Sequence, residues 1–376
     1  METTYKNEQL KRTFYSYLKG SQGFSDKTLK KYEQAIWLWE DFSSMADFGS
    51  FNKAMAEGFK EWLKNKRKIN SQDKLSLSYC YDNLRFLKVF FDWLSKQKGY
   101  KSKINQTDVE YLSLTQREAR EATQPKSVQF PLFEEIKKAI ENIEGKTEIE
   151  MRDRALFSVA LLTGARISAI RTLTMKSLDR NNLVLYQDPK LGVETKFGKR
   201  IVSTLMAFSY QKALDYFLEW FDYLEKQKRF SPDSPIFPAT KIENGKENIG
   251  YYNTGEVEPK KLKNSQSLRK IFKKRFENAG VKYYHPHTFR HWWVKEIGKL
   301  PLTEEEKKAI SQNLGHENVG TTFGSYGYGK VDEGRQIEII KNIDFAGRKK
   351  EVKYTLTKEE LTELIKEVNK NNNGEK

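Results

Sequence analysis

Residues 151–175 read MRDRALFSVALLTGARISAIRTLTM and divide into two helical parts at a single glycine. Apolar residues dominate the first part, which predicts an unusually apolar helix over 151–163. Gly164 follows directly, and a glycine in this place is typical of a helix end. A second helix is predicted over 166–175. The sequence therefore sets Arg166 at the start of a helix, immediately after a glycine turn.

The chain around this stretch is predicted to be mostly helical with a small sheet. Strand signals occur only at 183–186 and 200–205, on either side of a turn-rich stretch, and they indicate a small antiparallel sheet. Residues 228–258 are rich in proline, glycine and asparagine and are interpreted as a loop or an insertion. From 265 to 345 the pattern again predicts short helices.

Four regions follow from these patterns and from the length of the chain. Helical spacing of apolar residues predicts a small helical bundle over 1–105. Residues 106–130 are polar, with Pro125 inside the stretch and Pro131 just beyond it, which indicates a linker. A second domain is expected over 131–345, and a tail with a short amphipathic helix over 346–376. The expected fold class is mainly α with a small antiparallel β-sheet.

The charge balance points to a polyanionic partner. The 376 residues include 67 lysines and arginines against 51 acidic residues, which gives a formal net charge of +16. This surplus favours nucleic acid over a small neutral substrate, although a protein that is merely basic stays an alternative. The single cysteine, Cys80, excludes an internal disulfide and fits a reducing cytoplasm. No apolar signal core or bilayer-spanning run is present, so a cytoplasmic protein without a membrane partner is expected.

Three of the four histidines, His285, His287 and His291, lie within seven residues, and the fourth is His316. A metal site is disfavoured, because no acidic or cysteine ligand flanks the cluster and Arg290 lies in its middle, where it repels a cation. Phosphate binding is the other interpretation. His287 and Arg290 are three residues apart and share one face of a helix. A guanidinium group can grip a phosphate with two parallel hydrogen bonds.

Another arginine and another histidine, both suited to bind phosphate, also follow glycines at predicted helix ends. Arg166 follows the first glycine turn, and His316 follows Gly315 in a similar position at a helix end. Lys196 lies in the turn predicted between the two strands, where a lysine is mobile and can reach a ligand. Tyr326 lies ten residues after His316.

This set of residues resembles the tyrosine recombinases, also called the phage integrase family. In that family an arginine, a lysine, a His-x-x-Arg pair, a Gly-His pair and a tyrosine follow one another in this order. All six positions hold the expected residue type here: Arg166, Lys196, His287, Arg290, His316 and Tyr326. The resemblance extends over residues 1 to about 345. It implies a helical core-binding (SAM-like) domain ahead of an α+β catalytic domain.

The resemblance also implies the activity and the partners. The chain is expected to be a site-specific recombinase or integrase encoded by a bacterium, a phage or a mobile element. Its substrate would be double-stranded DNA, bound by a homotetramer on two synapsed sites, in some systems with accessory DNA-bending or directionality proteins. The intermediate would be a 3′-phosphotyrosyl bond, formed without a metal ion, ATP or another cofactor.

The residue types suit attack on a phosphodiester. Arg166 and Arg290 stay charged and can bind the non-bridging oxygens, where negative charge grows in the transition state. His316 could hydrogen-bond the phosphate and help to position it. Many family members carry an acid three residues after the first arginine, and this chain has Ala169 there. That acid is thought to hold the arginine in its orientation. Its absence here therefore bears on the orientation of Arg166.

Two protons have to move in such a reaction. The phenol of Tyr326 has an ordinary pKa of ~10 and must lose its proton during attack, and His287 is placed to assist. The leaving 5′ oxygen needs a proton, for which Lys196 is the expected general acid. Tyr328 is a nearby alternative nucleophile, but it lies two residues further from His316 than the family spacing.

Two basic regions are candidate DNA contacts beyond the reacting groups. One is the basic run Lys64–Lys68 at a helix end, which on its own favours a solvated terminus over a phosphate contact. The other is the stretch 260–276, which carries basic residues and no acid and has an apolar face. The two domains would together clamp a duplex. The candidate phosphate contacts are Lys64, Lys66, Arg67, Lys68, Lys270, Lys273 and Lys274.

Other functions are compatible with parts of this pattern. A relaxing topoisomerase uses the same tyrosine chemistry, but the helical N-terminal domain and the lack of long insertions favour recombination. A catalytically silent DNA-binding regulator or architectural protein of the same fold is the alternative from another class. The complete six-residue set disfavours it, and only Ala169 favours it. The amphipathic tail could dock on its own chain or, as in related recombinases, on a neighbouring protomer.

Overall fold

The computed structural model of the chain describes residues 2–124, 128–207, 210–244 and 251–328, together with Gly334, Ile337 and Lys341. The chain forms two compact units, Met1–Ser127 and Val128–Lys376. The tail helix predicted within 346–376 lies outside the described residues. No helix in the part of the chain that is described combines the length and apolar character needed to cross a membrane.

The first unit is built from helices only, among its described residues. They are α1 (Glu2–Gly20), α2 (Asp26–Ser43), α3 (Lys53–Asn65), α4 (Leu77–Leu94), α5 (Gln106–Val109) and α6 (Gln116–Thr123). Polar side chains cap their N-termini: Ser76 accepts a hydrogen bond from the backbone N–H of Tyr79 at the start of α4. An aromatic core joins α2 to α4, where the ring of Phe91 lies 4.9 Å from that of Trp39.

Helices α5 and α6 lie where the sequence predicted a polar linker. Their apolar residues are few, but Val109, Leu112 and Ala122 are buried in the core of the first unit. Glu118 closes a capping box with Thr115 and forms an ion pair with Lys64 at 3.0 Å. Two short amphipathic helices of this kind give no sustained apolar period, which is why the stretch reads as a linker.

The second unit combines helices with a sheet of three short strands and a separate hairpin. Its elements are α7 (Phe133–Glu141), α8 (Glu148–Thr163), α9 (Ile167–Thr172), β1 (Leu178–Asp179), β2 (Val184–Gln187), β3 (Ile201–Thr204), α10 (Gln211–Asp222), β4 (Pro238–Asn244), β5 (Tyr251–Lys261), α11 (Ser265–Asn278), α12 (Thr288–Ile297), α13 (Glu304–Asn313) and α14 (Thr321–Tyr328). The predicted fold class, mainly α with a small antiparallel sheet, is confirmed.

Helix α8 is the centre of the second unit. Every residue from Arg152 to Thr163 is buried, which explains why this stretch is apolar on all sides in the sequence. The exceptions to its apolar character are paired: Asp153 accepts from the side chains of Arg152 and of Arg275 on α11, both at 2.8 Å. A buried carboxylate needs such partners, and these fix α8 against α11.

The three-stranded sheet has the order β1-β2-β3 and is antiparallel throughout. Leu185 pairs with Ser203 in its centre, so the sheet signals read from the sequence are confirmed to within a residue. The connection between β2 and β3 is longer than a tight turn. It includes a short 3₁₀ turn, Lys196–Gly198, in which Phe197 adopts a positive φ of 63°.

The interpretation of 228–258 as a loop or an insertion holds for residues 228–237, which contain no helix or strand, but a loop is wrong from Pro238 onward, because β4 and β5 form an antiparallel hairpin. The strands carry few apolar residues, and Ile242 is 61% exposed. The hairpin is held at its base, where the side chain of Arg152 donates to the carbonyl of Pro238 at 3.1 Å. In addition, Glu148 accepts from the backbone N–H of Val257 at 2.6 Å.

Candidate active site

A glycine turn positions Arg166 at the beginning of α9. Gly164 ends α8 with a φ of +57°, a conformation that favours glycine. The hydroxyl of Thr163 stabilises the turn by accepting from the backbone N–H of Ala165 at 3.1 Å. Arg166 follows in an extended conformation as the residue before α9, and it is partly exposed. The turn therefore presents this arginine at the surface of the second unit.

Arg290 is the centre of the site and is only 2% exposed. One terminal nitrogen of its guanidinium donates to the carbonyl of Gly164 at 3.1 Å. The other donates to the carbonyl of Leu314 and lies 2.7 Å from Nε2 of His316. A single arginine thus joins the end of α8, the end of α13 and an imidazole.

A second glycine turn positions His316. Gly315 has a φ of +70° after the last turn of α13, where Cδ1 of Ile201 would lie only 2.3 Å from an added Cβ. The backbone N–H groups of Gly315 and His316 donate to the carbonyls of Gln312 and Ser311, each at 2.8 Å. This pair of bonds is a Schellman motif, and it turns His316 back toward Arg290.

His316 is 6% exposed, and burial lowers the pKa of its imidazole to about 3. The charge of Arg290 contributes next, followed by Arg166, His287 and Lys196. Its other ring nitrogen, Nδ1, lies 2.8 Å from the hydroxyl of Thr322 in α14. The imidazole is therefore neutral at physiological pH.

His287 precedes the first residue of α12, one turn before Arg290. Burial lowers the pKa of His287 to about 4, with smaller contributions from Arg290, His291 and Arg166. Its ring lies edge-on to that of His291, with 5.6 Å between the ring centroids. Because Arg166 acts on both His287 and His316, the structure brings these three predicted residues together with Arg290.

Lys196 lies at the exposed end of the connection between β2 and β3. Its ammonium group lies 4.9 Å from the ring centroid of Phe197, which is itself 79% exposed. An ion pair between Lys199 and Glu317 ties this connection to the residue after His316. The positive charge of Lys196 helps to lower the pKa of His316, so the lysine lies near the site.

Tyr326 belongs to α14, a helical segment with the wide hydrogen-bonding pattern that occurs frequently at functional sites. This segment packs against α12, the helix that carries Arg290. The position of the Tyr326 side chain lies outside the described part of the structure, as does that of Tyr328. Ala169, where many family members have an acid, is buried in α9.

The predicted DNA contacts occupy two surfaces. Lys270, Lys273 and Lys274 are exposed on α11, and Lys273 lies 3.8 Å from Glu277. Arg275 in the same basic stretch is different, since it is buried against Asp153. In the first unit Lys64, Lys66 and Lys68 form ion pairs with Glu118, Asp41 and Asp73, and Arg67 bonds to Gln72.

Sequence reasoning did not single out Ser311 or Thr322, which contact the site residues directly. Ordinary hydroxyl residues carry no signal of their own, and only their spacing from His316 could have drawn attention to them. Among the described residues, no group of three or more His, Cys, Asp or Glu side chains is arranged to hold a metal ion.

Comparison with known proteins identifies the family of the chain. The model of the phage integrase family matches residues 130–329, more than half of the chain. Tyrosine recombinase XerC of Lactobacillus delbrueckii subsp. bulgaricus is 23% identical over 323 residues, which cover 83% of this chain and 92% of the relative. XerC of Halalkalibacterium halodurans is 21% identical over 322 residues, with 84% and 92% covered.

Solved structures share the fold at low sequence identity. The lambda integrase(75-356) dimer bound to a COC′ core site has a TM-score of 0.56 at 14% identity, covering 86% of this chain and 96% of that one. The XerH site-specific recombinase bound to palindromic difH substrate has a TM-score of 0.56 at 16% identity, covering 86% and 82%. With a family match of this breadth, the chain belongs to the phage integrase family, the tyrosine recombinases.

Proposed function

We propose that the chain is a site-specific DNA recombinase that cleaves and rejoins double-stranded DNA through a 3′-phosphotyrosyl bond to Tyr326. The observation that carries the proposal is the position of Arg290. This buried guanidinium holds the turn at Gly164, the turn at Leu314 and the imidazole of His316 together. The result is a preorganised positive site beside the helix that contains Tyr326.

The two arginines supply the charge that a phosphodiester needs. Attack on the phosphorus builds negative charge on the non-bridging oxygens, and fixed cations lower that barrier more than mobile ones do. Arg290 is fixed by its acceptors, whereas Arg166 is partly exposed at the start of α9. In this proposal Arg166 contacts the incoming phosphate first. Arg290 is held in a fixed position on the other side of the site.

The neutral His287 and the exposed Lys196 each carry out one of the two proton transfers. With a pKa of about 4, His287 is unprotonated at neutral pH and can accept the phenolic proton of Tyr326 as the oxygen attacks phosphorus. The bond from phosphorus to the 5′ oxygen breaks, and Lys196 donates a proton to that oxygen. The phosphotyrosyl ester retains the bond energy, and attack by a 5′ hydroxyl of another strand reverses the step without metal or ATP.

His316 has a different role in the free protein from the phosphate contact first expected. Its Nε2 faces a guanidinium nitrogen of Arg290, which can only donate, so this ring nitrogen accepts a hydrogen bond. In this state the imidazole orients Arg290. Donation from Nε2 to a phosphate would require both a proton on that nitrogen and the release of Arg290.

DNA binding and assembly complete the proposal. The lambda integrase structures include a dimer on a core site and a tetramer bound to a Holliday junction. We extend this behaviour to the present chain, with the 1–105 and 131–345 regions as its two DNA-binding domains and a homotetramer as the assembly. The exposed lysines of α11 and the basic run Lys64–Lys68 are the proposed backbone contacts.

The test uses a duplex with a binding site selected from a random pool and a nick beside the cleavage position. The protein is incubated with it in EDTA without ATP, and products are separated on a denaturing gel. We expect a covalent protein–DNA band that Tyr326→Phe abolishes and Tyr328→Phe retains. Loss of the band in Tyr328→Phe alone would contradict the assignment.

Binding without any adduct is the outcome expected of the alternative function, a catalytically silent regulator. The observation that favours this alternative is Ala169, because no carboxylate stands three residues after Arg166. If the missing acid were the cause of inactivity, Ala169→Glu would restore the adduct. In the recombinase proposal the wild-type chain forms the adduct without that acid.

A further inference from the structure

A continuous chain of buried hydrogen bonds leads from Arg290 into α14. It passes through both ring nitrogens of His316 to the hydroxyl of Thr322, at 2.7 Å and 2.8 Å. The Thr322 hydroxyl donates to Oγ of Ser311 at 2.9 Å, and Ser311 donates to the carbonyl of Lys307 at 2.9 Å. Ser311 and Thr322 are fully buried, so these bonds are not exchanged with solvent.

The chemistry of the groups fixes the direction of every bond. A guanidinium can only donate, so Nε2 of His316 accepts and the proton of the neutral ring must be on Nδ1. Nδ1 then donates to Thr322, whose hydroxyl has its own proton directed to Ser311. The carbonyl of Lys307 can only accept, which ends the chain. One tautomer of His316 satisfies all four bonds, and the other would set two donors against each other.

We infer that Thr322 is a positioning residue that holds His316 in the Nδ1-protonated tautomer and links it to the helical segment bearing Tyr326. The inference rests on the proposed function, because it assigns Thr322 a part in that same site. Thr322 belongs to α14, four residues before Tyr326. Its hydroxyl therefore ties the start of this segment to the group that orients Arg290.

Ser311 makes the link rigid from the opposite side. Its carbonyl accepts from the backbone N–H of His316, and its hydroxyl accepts from Thr322. The same residue thus fixes the His316 backbone and the α14 side chain that its ring contacts. A displacement of α14 would be transmitted to the imidazole and through it to Arg290.

The tautomer can be read directly, because the chain has only four histidines. Protein labelled with ¹⁵N in histidine gives few imidazole signals, and single substitutions of His285, His287 and His291 assign the remaining one to His316. An unprotonated ring nitrogen resonates far downfield of a protonated one. In the free wild-type protein we expect Nδ1 of His316 to be protonated and Nε2 to be unprotonated.

Two matched substitutions test the role of the hydroxyl. Thr322→Val keeps the shape but removes the acceptor, so the His316 signals should shift and DNA cleavage should slow by roughly 10- to 100-fold. Thr322→Ser restores the hydroxyl and should restore both the signals and most of the rate. Thr321→Val, at the exposed neighbouring residue, is the control and should change neither.

The inference is overturned if wild-type His316 carries its proton on Nε2 or on both nitrogens. Unchanged His316 signals and an unchanged cleavage rate in Thr322→Val would overturn it as well. If Thr322→Val does not fold, Ser311→Ala provides the second case, since it leaves the Thr322 hydroxyl without its acceptor. The spectra are recorded on the free protein, so a wild-type chain that forms no adduct would refute the proposed function and leave the tautomer measurable.

Discussion

Two histidines of the candidate site are neutral because burial and positive charge act on them together. His287 and His316 have pKa values of about 4 and about 3, and burial is the largest cause for both. Arg290 and Arg166 add to the effect. A site that binds an anion in this way keeps its imidazoles as proton acceptors until the substrate arrives.

These pKa shifts predict how stability depends on pH. In the unfolded chain both histidines have a pKa near ~6.5, above their folded values, so the unfolded state binds more protons below that pH. The free energy of unfolding should therefore fall as the pH falls from 6.5 toward 4, by up to about 1.4 kcal/mol per pH unit for each histidine. Urea unfolding at a series of pH values measures this slope.

His287→Asn is the informative variant, because it removes one group with a lowered pKa and leaves His316 and His285, whose pKa burial also lowers. The slope between pH 6 and pH 4.5 should therefore be smaller than in the wild-type protein, by up to about 1.4 kcal/mol per pH unit. A free energy of unfolding that does not change over this pH interval in the wild-type protein would contradict the account of both histidines.

At the residue scale the sequence was informative where a residue type is scarce or chemically distinctive. The scarce histidines, the His-x-x-Arg pair and the arginine after a glycine turn drew attention to these residues, and the resemblance to the tyrosine recombinases predicted Arg166, His287, Arg290 and His316 as one group. Arg275 shows the limit, because it lies in a basic stretch yet is buried against Asp153, 122 residues away in the chain. Local composition carries no information on a contact of that kind.

At the scale of elements, the site is built on two glycine turns that end α8 and α13. Gly164 and Gly315 both have positive φ, and Arg290 donates to the carbonyl of Gly164 and to that of Leu314. The turns direct Arg166 and His316 away from their helices. The helices are rigid, so the turns fix where these side chains begin.

Gly315→Ala should lower the free energy of unfolding more than Gly198→Ala, although both substitutions place an alanine at a positive φ. Gly198 has a φ of +65° and no atom within 4 Å of an added Cβ, so Gly198→Ala should cost only the strain, about 1–2 kcal/mol. At Gly315 the added Cβ would also meet Ile201 at 2.3 Å, which adds about 1–3 kcal/mol of overpacking. Chemical denaturation of the two variants compares them, and equal losses would contradict the close packing at Gly315.

Element prediction succeeded where burial gives a periodic signal and failed where it does not. The apolar run 151–163 belongs to the buried helix α8, and the two predicted strands are β2 and β3, in which alternate residues are buried. The β4–β5 hairpin was missed because its described strands lack a continuous apolar face, as the exposed Ile242 illustrates. Its base is instead fixed by hydrogen bonds from side chains of α8, which no local pattern reveals.

At the scale of the whole molecule, the net charge of +16 is expected to act through defined surfaces. Replacing Lys270, Lys273 and Lys274 by glutamine should weaken DNA binding and reduce the slope of log affinity against log salt by up to about 2.7. Fluorescence anisotropy at several salt concentrations measures this slope. The control removes the same charge from exposed lysines elsewhere, Lys96, Lys98 and Lys101, and should change the slope less. Equal effects of the two triple variants would mean that α11 has no special role.

The most direct measurement for the whole account is the identity of the amino acid bound to DNA. The adduct formed on the nicked duplex is digested with protease and nuclease, and the nucleotide-bearing peptide is sequenced by mass spectrometry. The account predicts a nucleotide attached through its 3′ phosphate to Tyr326, within the peptide that follows His316. A nucleotide on Tyr328 or on any other residue, or one attached through a 5′ phosphate, would contradict it.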